Sequence, residues 1–114
     1  MSDPLSKVFA ALSDPIRRDM VARLTVADAT VSELAKPYPV SLQAVSKHLK
    51  VLEDAGLVTR GRTAQTRPVH LEAQVFDLMT KWIERYRRQA EDRFEQLDAV
   101  LAEMNGEPRR KGTA

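Results

Sequence analysis

From Ala73 to Met104 the apolar residues keep helical spacing over more than thirty positions. Val75, Met79, Trp82, Tyr86, Phe94, Leu97, Leu101 and Met104 recur at intervals close to three and four, with Ala90 bridging the widest gap. At 1.5 Å per residue such a helix is about 48 Å long. A compact body of this size is only roughly 30 Å across. The helix therefore outruns the body it belongs to, and its distal apolar residues need an internal neighbour or a second chain. The chain has 114 residues, which suits one domain. A chain that short buries about two-thirds of its unfolded surface, so a small core must suffice or a partner must add to it. The expected domain spans 1–104, followed by a polar, glycine- and proline-containing tail over 105–114 that is expected to be disordered.

Composition removes several classes of function. There is no cysteine, so disulfides, thiolate metal sites and cysteine nucleophiles are all absent. Only two histidines exist, His48 and His70, which argues against an all-imidazole metal site. Met1-Ser2-Asp3-Pro4 has no basic start and no long apolar run, so no signal peptide is expected. No apolar stretch is long enough to span a membrane, and a cytoplasmic location is expected. Ser46 stands near His48, but the G-x-S-x-G hydrolase pattern is missing. With no catalytic constellation, neither enzymatic activity nor a cofactor is expected.

The net charge of +2 is unremarkable, but its distribution is uneven. Residues 41–70 carry Lys47, Lys50, Arg60, Arg62 and Arg67 against Glu53 and Asp54, a local excess of +3, while the flanks together sum to −1. A basic patch confined to one segment is a footprint for a polyanion.

Local signals divide the rest of the chain. Leu5, Val8, Phe9 and Leu12 mark a short amphipathic helix, which ends near Ser13-Asp14-Pro15. Asp14 can cap a second helix and Pro15 suits its first turn. Ile16, Met20, Val21 and Leu24 form that helix's apolar stripe. Arg17 lies among them, which predicts a buried stem with its guanidinium paired to an acid. Asp28-Ala29-Thr30 reads as a loop leading into the capping box Thr30-Val31-Ser32-Glu33. Pro37 and Pro39 stop this third helix. Ser41 caps a fourth, in which Leu42, Val45, Leu49 and Leu52 share one sector, and Gly56 ends it. Leu57–Arg60 and Val69–Leu71 read as two strands, with Pro68 on an edge. His70 belongs to the hairpin surface. In the last helix Glu84 and Arg88 make an i,i+4 pair on a solvated face.

The fold class that results is mostly α with a small β-hairpin. A tight Pro-Tyr-Pro-Val turn joins helices three and four, and the hairpin follows, which is a winged helix-turn-helix. The major groove of B-DNA admits one α-helix, and its base edges carry a readable code. With the apolar sector turned inward, Gln43, Lys47 and Lys50 project outward and Ser46 and His48 lie on the flanks. Gln43 can contact adenine bidentately, Lys47 can reach guanine or phosphate, and Ser41 with the first-turn amides can meet a phosphate. His48 is expected to touch DNA, with packing as its second role. On the hairpin, Arg60, Arg62 and Arg67 flank a polar tip that includes Gln65, and an Arg-rich wing can follow the backbone or enter the minor groove. Double-stranded DNA is therefore the expected partner.

Phe9-Ala10-Ala11-Leu12-Ser13-Asp14-Pro15-Ile16-Arg17-Arg18 resembles the opening signature of the ArsR family of winged-helix repressors. Val31-Ser32-Glu33-Leu34-Ala35, followed by Val45 to Val58 (VSKHLKVLEDAGLV), is similar to that family's helix-turn-helix. The resemblance covers roughly residues 5–104. It implies a homodimeric repressor on a palindromic operator, released from DNA by an effector, with the N- and C-terminal helices forming the dimer interface. Here that assigns Leu5, Val8, Phe9, Val75, Met79, Trp82, Tyr86, Phe94, Leu97 and Leu101 to the interface. An aromatic effector pocket lined by Trp82, Tyr86 and Phe94 is the weaker reading of the same stripe. Many members sense metals through cysteines in the third helix or through histidine and carboxylates in the last. This chain has neither set, so a member without a metal site is expected, with an unknown small-molecule effector or none. The alternatives are a metal-responsive repressor using carboxylates and a winged-helix module for protein contact.

Overall fold

The computed structural model describes residues 3–61 and 67–106. The elements run α1 (Pro4–Ala11), α2 (Pro15–Leu24), α3 (Val31–Ala35), α4 (Leu42–Asp54), β1 (Val58–Arg60), β2 (Val69–Leu71) and α5 (Gln74–Met104). The chain divides into two units, Met1–Met79 and Thr80–Ala114, and α5 runs through the division.

In the first unit each of the first four helices starts on a side-chain cap. Asp3 accepts from the Ser6 amide at 2.8 Å and Asp14 from the Arg17 amide at 3.0 Å. Thr30 and Glu33 form the reciprocal capping box, and Ser41 accepts from the Ala44 amide at 3.1 Å. These caps satisfy amides that a helix start leaves without partners. Pro4 and Pro15 fill first-turn positions where a missing N–H is harmless. At the other end of α4, Gly56 takes a left-handed φ of 78°. Its amide bonds the Glu53 carbonyl and the Leu57 amide bonds Leu52, both at 2.9 Å. This is a Schellman close, and it turns the chain sharply out of α4.

The core lies where these helices meet the hairpin. Val8 and Ala11 of α1, Met20, Val21 and Leu24 of α2, Leu34 of α3, and Val45, Leu49 and Leu52 of α4 are buried with Leu57, Val58 and Val69. Val75, Phe76 and Met79 from the start of α5 pack on this cluster. Leu42 departs from the expected stripe and is 55% exposed. It occupies the first helical position, and the turn's Tyr38 and Val40 pack on the core instead. Leu57 likewise belongs to the close of α4, so β1 begins one residue later than the sequence predicts.

β1 and β2 pair antiparallel with Val58 opposite Leu71, Thr59 opposite His70 and Arg60 opposite Val69. The segment read as a plain loop before α3 contributes a third partner. Ala29 and Val69 exchange both backbone hydrogen bonds, at 3.3 and 2.7 Å.

The second unit consists, as far as it is described, of α5 from Thr80 onward and the turn at Asn105-Gly106. Ile83, Phe94, Leu97, Val100, Leu101 and Met104 are exposed. The Trp82 and Tyr86 rings tilt against each other with centroids 4.8 Å apart. Glu84 pairs with Arg87 and not with Arg88 as the spacing suggested. Arg87 sits between Glu84 and Glu91, 3.1 Å from each, while Arg88 reaches the Glu84 carbonyl. The tail expected over 105–114 lies, from 107 onward, outside the described residues.

Candidate nucleic-acid interface

α4 is held at its start by Ser41, at its end by Gly56 and along one side by Val45, Leu49 and Leu52. That leaves a continuous polar face. Gln43, Lys47 and Lys50 are exposed on it, and Ser46 and His48 are half-buried at its margins. Ser41 is exposed, with its oxygen engaged by the Ala44 amide. Lys50 Nζ shares its charge with Asp54 at 3.2 Å. Lys47 has no ion pair among the described residues and is the least compensated cation of the helix.

Beside the C-terminal half of α4 lies an open depression of about 470 Å³ lined by Lys50, Glu53, Arg60, Gly61 and Arg67. Three cations and one carboxylate give it a positive balance. Arg60 Nε is 3.6 Å from Glu53 Oε2, a loose ion pair, and has no hydrogen bond although it is buried. Arg62 and Gln65 lie outside the described residues.

The arginines of α2 are used differently. Arg17 does not pair with an acid by hydrogen bond. Its Nε donates to the Ala11 carbonyl at 2.6 Å, Nη2 to the Ala10 carbonyl at 3.3 Å, and Nη1 to His48 Nδ1 at 3.1 Å. Arg18 donates to the Leu12 carbonyl at 2.8 Å. Arg23 donates to the Leu34 and Glu33 carbonyls at 2.8 and 3.1 Å. All three supply donors to helix ends whose last carbonyls lack intrahelical partners. Arg23 also sits over the Tyr38 ring, 5.4 Å from its centroid, and Tyr38 donates its hydroxyl to Asp19 at 2.6 Å. Burial first, and then this bond, push the Tyr38 hydroxyl above its ordinary pKa. The α3–α4 turn is thereby fixed on α2.

A helix-turn-helix domain family model matches residues 12–61. The HTH-type transcriptional regulator Rv2034 of Mycobacterium tuberculosis is 48% identical over 64 residues, 56% of this chain and 59% of that protein. The chain thus spans less than two-thirds of that relative. The transcriptional repressor SdpR of Bacillus subtilis is 29% identical over 79 residues, 69% of this chain and 88% of that protein. A crystal structure of an ArsR family transcriptional regulator matches with a TM-score of 0.75 and 35% identity, covering 78% of this chain and 98% of the other. The chain belongs to the ArsR family.

As an ArsR-family protein it is a DNA-binding transcriptional regulator with a winged helix-turn-helix fold, and its relatives are not enzymes. No helix among the described residues is long and apolar enough to cross a membrane. The residues assigned by resemblance to a dimer interface fall into three settings. Val8 is fully buried in the core of the first unit. Leu5, Val75 and Met79 are half-buried there, and Phe9 is exposed. Trp82, Tyr86, Phe94, Leu97 and Leu101 are exposed on the second unit.

Two polar clusters in this ArsR-family chain were not foreseen. His48 Nδ1 lies 3.9 Å from Asp14 Oδ2 as well as against Arg17. The Arg17 amide above all, and the nearby Arg17 guanidinium, hold the Asp14 carboxyl below its usual range. His70 Nδ1 meets Asp28 Oδ1 at 2.8 Å, and this hydrogen bond raises the His70 pKa. The signal that could have found the first cluster is an arginine inside an apolar stripe, which must carry its charge to some acceptor. The second joins residues 42 apart and has no sequence signal.

Proposed function

We propose that this ArsR-family regulator is a repressor that acts as a homodimer, with α4 in the major groove and the hairpin beside it. The carrying observation is the polar face of α4, on which Gln43, Lys47 and Lys50 are exposed, with Lys50 also lining the cationic depression of Arg60 and Arg67. Gln43 is the base reader, Ser41, Ser46, Lys47, His48 and Lys50 are base or phosphate contacts, and Arg60, Arg62, Gln65 and Arg67 serve the wing. The second copy is supported by the apolar stripe of α5, where Phe94, Leu97 and Leu101 are exposed to water. Two-fold symmetry then calls for an imperfect palindrome with half-sites about 34 Å apart. Repression, supported by the similarity to SdpR, would follow from occupying the promoter.

The effector is proposed to be a small molecule other than a metal ion. Among the described residues no three His, Asp or Glu side chains converge. Titration with zinc tests this against the carboxylate alternative, since stoichiometric tight binding coupled to loss of DNA would reverse it. The main test is binding to duplex upstream DNA in a salt series. Affinity that is sequence-specific and falls steeply with salt is the expected result. Salt-insensitive or absent binding would favour the protein-contact module instead.

A further inference from the structure

We propose that Arg17 is a positioning residue for DNA recognition: it fixes the tautomer of His48 so that the Nε2–H of His48 is a ready donor to a DNA phosphate. The inference rests on the reading of α4 as the groove helix.

The argument begins with what arginine can do. A guanidinium donates hydrogen bonds and accepts none, and it does not deprotonate in proteins. Two of its edges are already committed, because Nε and Nη2 grip the Ala11 and Ala10 carbonyls at the end of α1. The remaining contact is Nη1 to His48 Nδ1 at 3.1 Å. Since Nη1 can only donate, Nδ1 must accept and so carries a lone pair. The single proton of the neutral ring is then on Nε2. Asp14 Oδ2 would prefer a protonated Nδ1, but at 3.9 Å it is beyond hydrogen-bond range. The Arg17 contact is the shorter of the two and decides the tautomer.

The other ring nitrogen faces outward. The His48 side chain is 19% exposed. Nε2 has no hydrogen bond among the described residues, yet it is not one of the buried polar atoms left without a partner. It therefore opens to solvent. At 100° per residue His48 lies on the flank of α4, not at the centre of the face formed by Gln43, Lys47 and Lys50. The flank of a groove helix is bordered by phosphates, which only accept hydrogen bonds. A histidine with its proton on Nε2 meets that requirement without needing a positive charge. The other tautomer would present a lone pair to an anion.

The test pairs spectroscopy with substitution. Nitrogen-15 correlation spectra of the full-length protein at neutral pH should show His48 Nδ1 as the unprotonated ring nitrogen, and Arg17→Met should blur this into a tautomer mixture. Duplex affinity at fixed salt should fall about tenfold in His48→Ala, as for one lost hydrogen bond to a charged acceptor. His48→Gln, whose amide reaches the Nε2 position, should stay within about threefold of wild type. His48→Asn, which reaches only the Nδ1 position, should behave like the alanine variant. If Arg17→Met fails to fold, the wild-type tautomer and the Gln/Asn contrast still decide. A protonated Nδ1 in the wild type, or equal affinity for the Gln and Asn variants, would overturn the proposal. A wild-type protein that binds no duplex in a salt-dependent way would instead remove the groove-helix reading on which it stands.

Discussion

Lys47 and Lys50 are chemically alike and both face solvent, but their surroundings separate them. Lys50 shares its charge with Asp54, whereas Lys47 is uncompensated among the described residues. Each phosphate neutralised by a lysine releases about one counterion. Lys47→Ala should therefore weaken duplex binding and lower the slope of log affinity against log salt by about 1 per half-site, more than Lys50→Ala does. Equal salt slopes would contradict the distinction. The His70–Asp28 pair offers a second residue-scale check. Its hydrogen bond raises the His70 pKa, so with Asp28 as a carboxylate the pair's stabilisation is complete below the ordinary histidine value. It is lost as pH rises through the raised value, on the alkaline side of ordinary histidine. Asp28→Asn should bring the His70 pKa down in an NMR titration. The opposite sign holds for Asp14, whose lowered carboxyl stabilises α2 at neutral pH and loses that effect as pH falls through its depressed value.

Helix ends are where the sequence was most readable. Asp14, the Thr30–Glu33 box, Ser41 and Gly56 each act on backbone within a few positions, so local pattern suffices to place them. Pairings between distant residues have no such pattern. Arg17 meets His48 across 31 positions, and Ala29 meets Val69 across the whole helix-turn-helix. The sequence indicated that the Arg17 stem would be covered, but it could not say that backbone carbonyls would receive the charge. Nor could it reveal that Leu42, fully in phase with the stripe, lies beyond the core. Gly56 and Gly106 make a controlled pair at this scale. Both have positive φ, but a Cβ at Gly56 would come within 3.3 Å of Val75 Cγ2, and one at Gly106 would meet nothing within 4 Å. Gly56→Ala should destabilise the fold by about 1–2 kcal/mol. Gly106→Ala should cost less, and thermal unfolding of the two variants compares them directly.

On the scale of the whole molecule, the apolar stripe beyond Met79 bears on how many chains make the functional unit. A carboxylate placed in a buried apolar interface is strongly unfavourable, while the same carboxylate on an exposed helix face is nearly neutral. Leu97→Glu and Leu101→Glu should leave the helical signal in circular dichroism unchanged. They should shift sedimentation equilibrium to the monomer and weaken binding to a palindrome by tenfold or more. A variant that stays monomeric yet binds the palindrome as tightly as wild type would count against the two-chain reader.

Val69 has one edge bonded to Ala29 and the other facing Arg60, and it is fully buried. The root of the wing is therefore stitched to the segment that leads into α3. Among the described residues, the root of the wing has no hinge separate from that segment. Any force that swings its base is transmitted as torque to the start of the helix-turn-helix, so the two should loosen together. In hydrogen exchange, the Val69 and Ala29 amides should open in a single step and not one after the other.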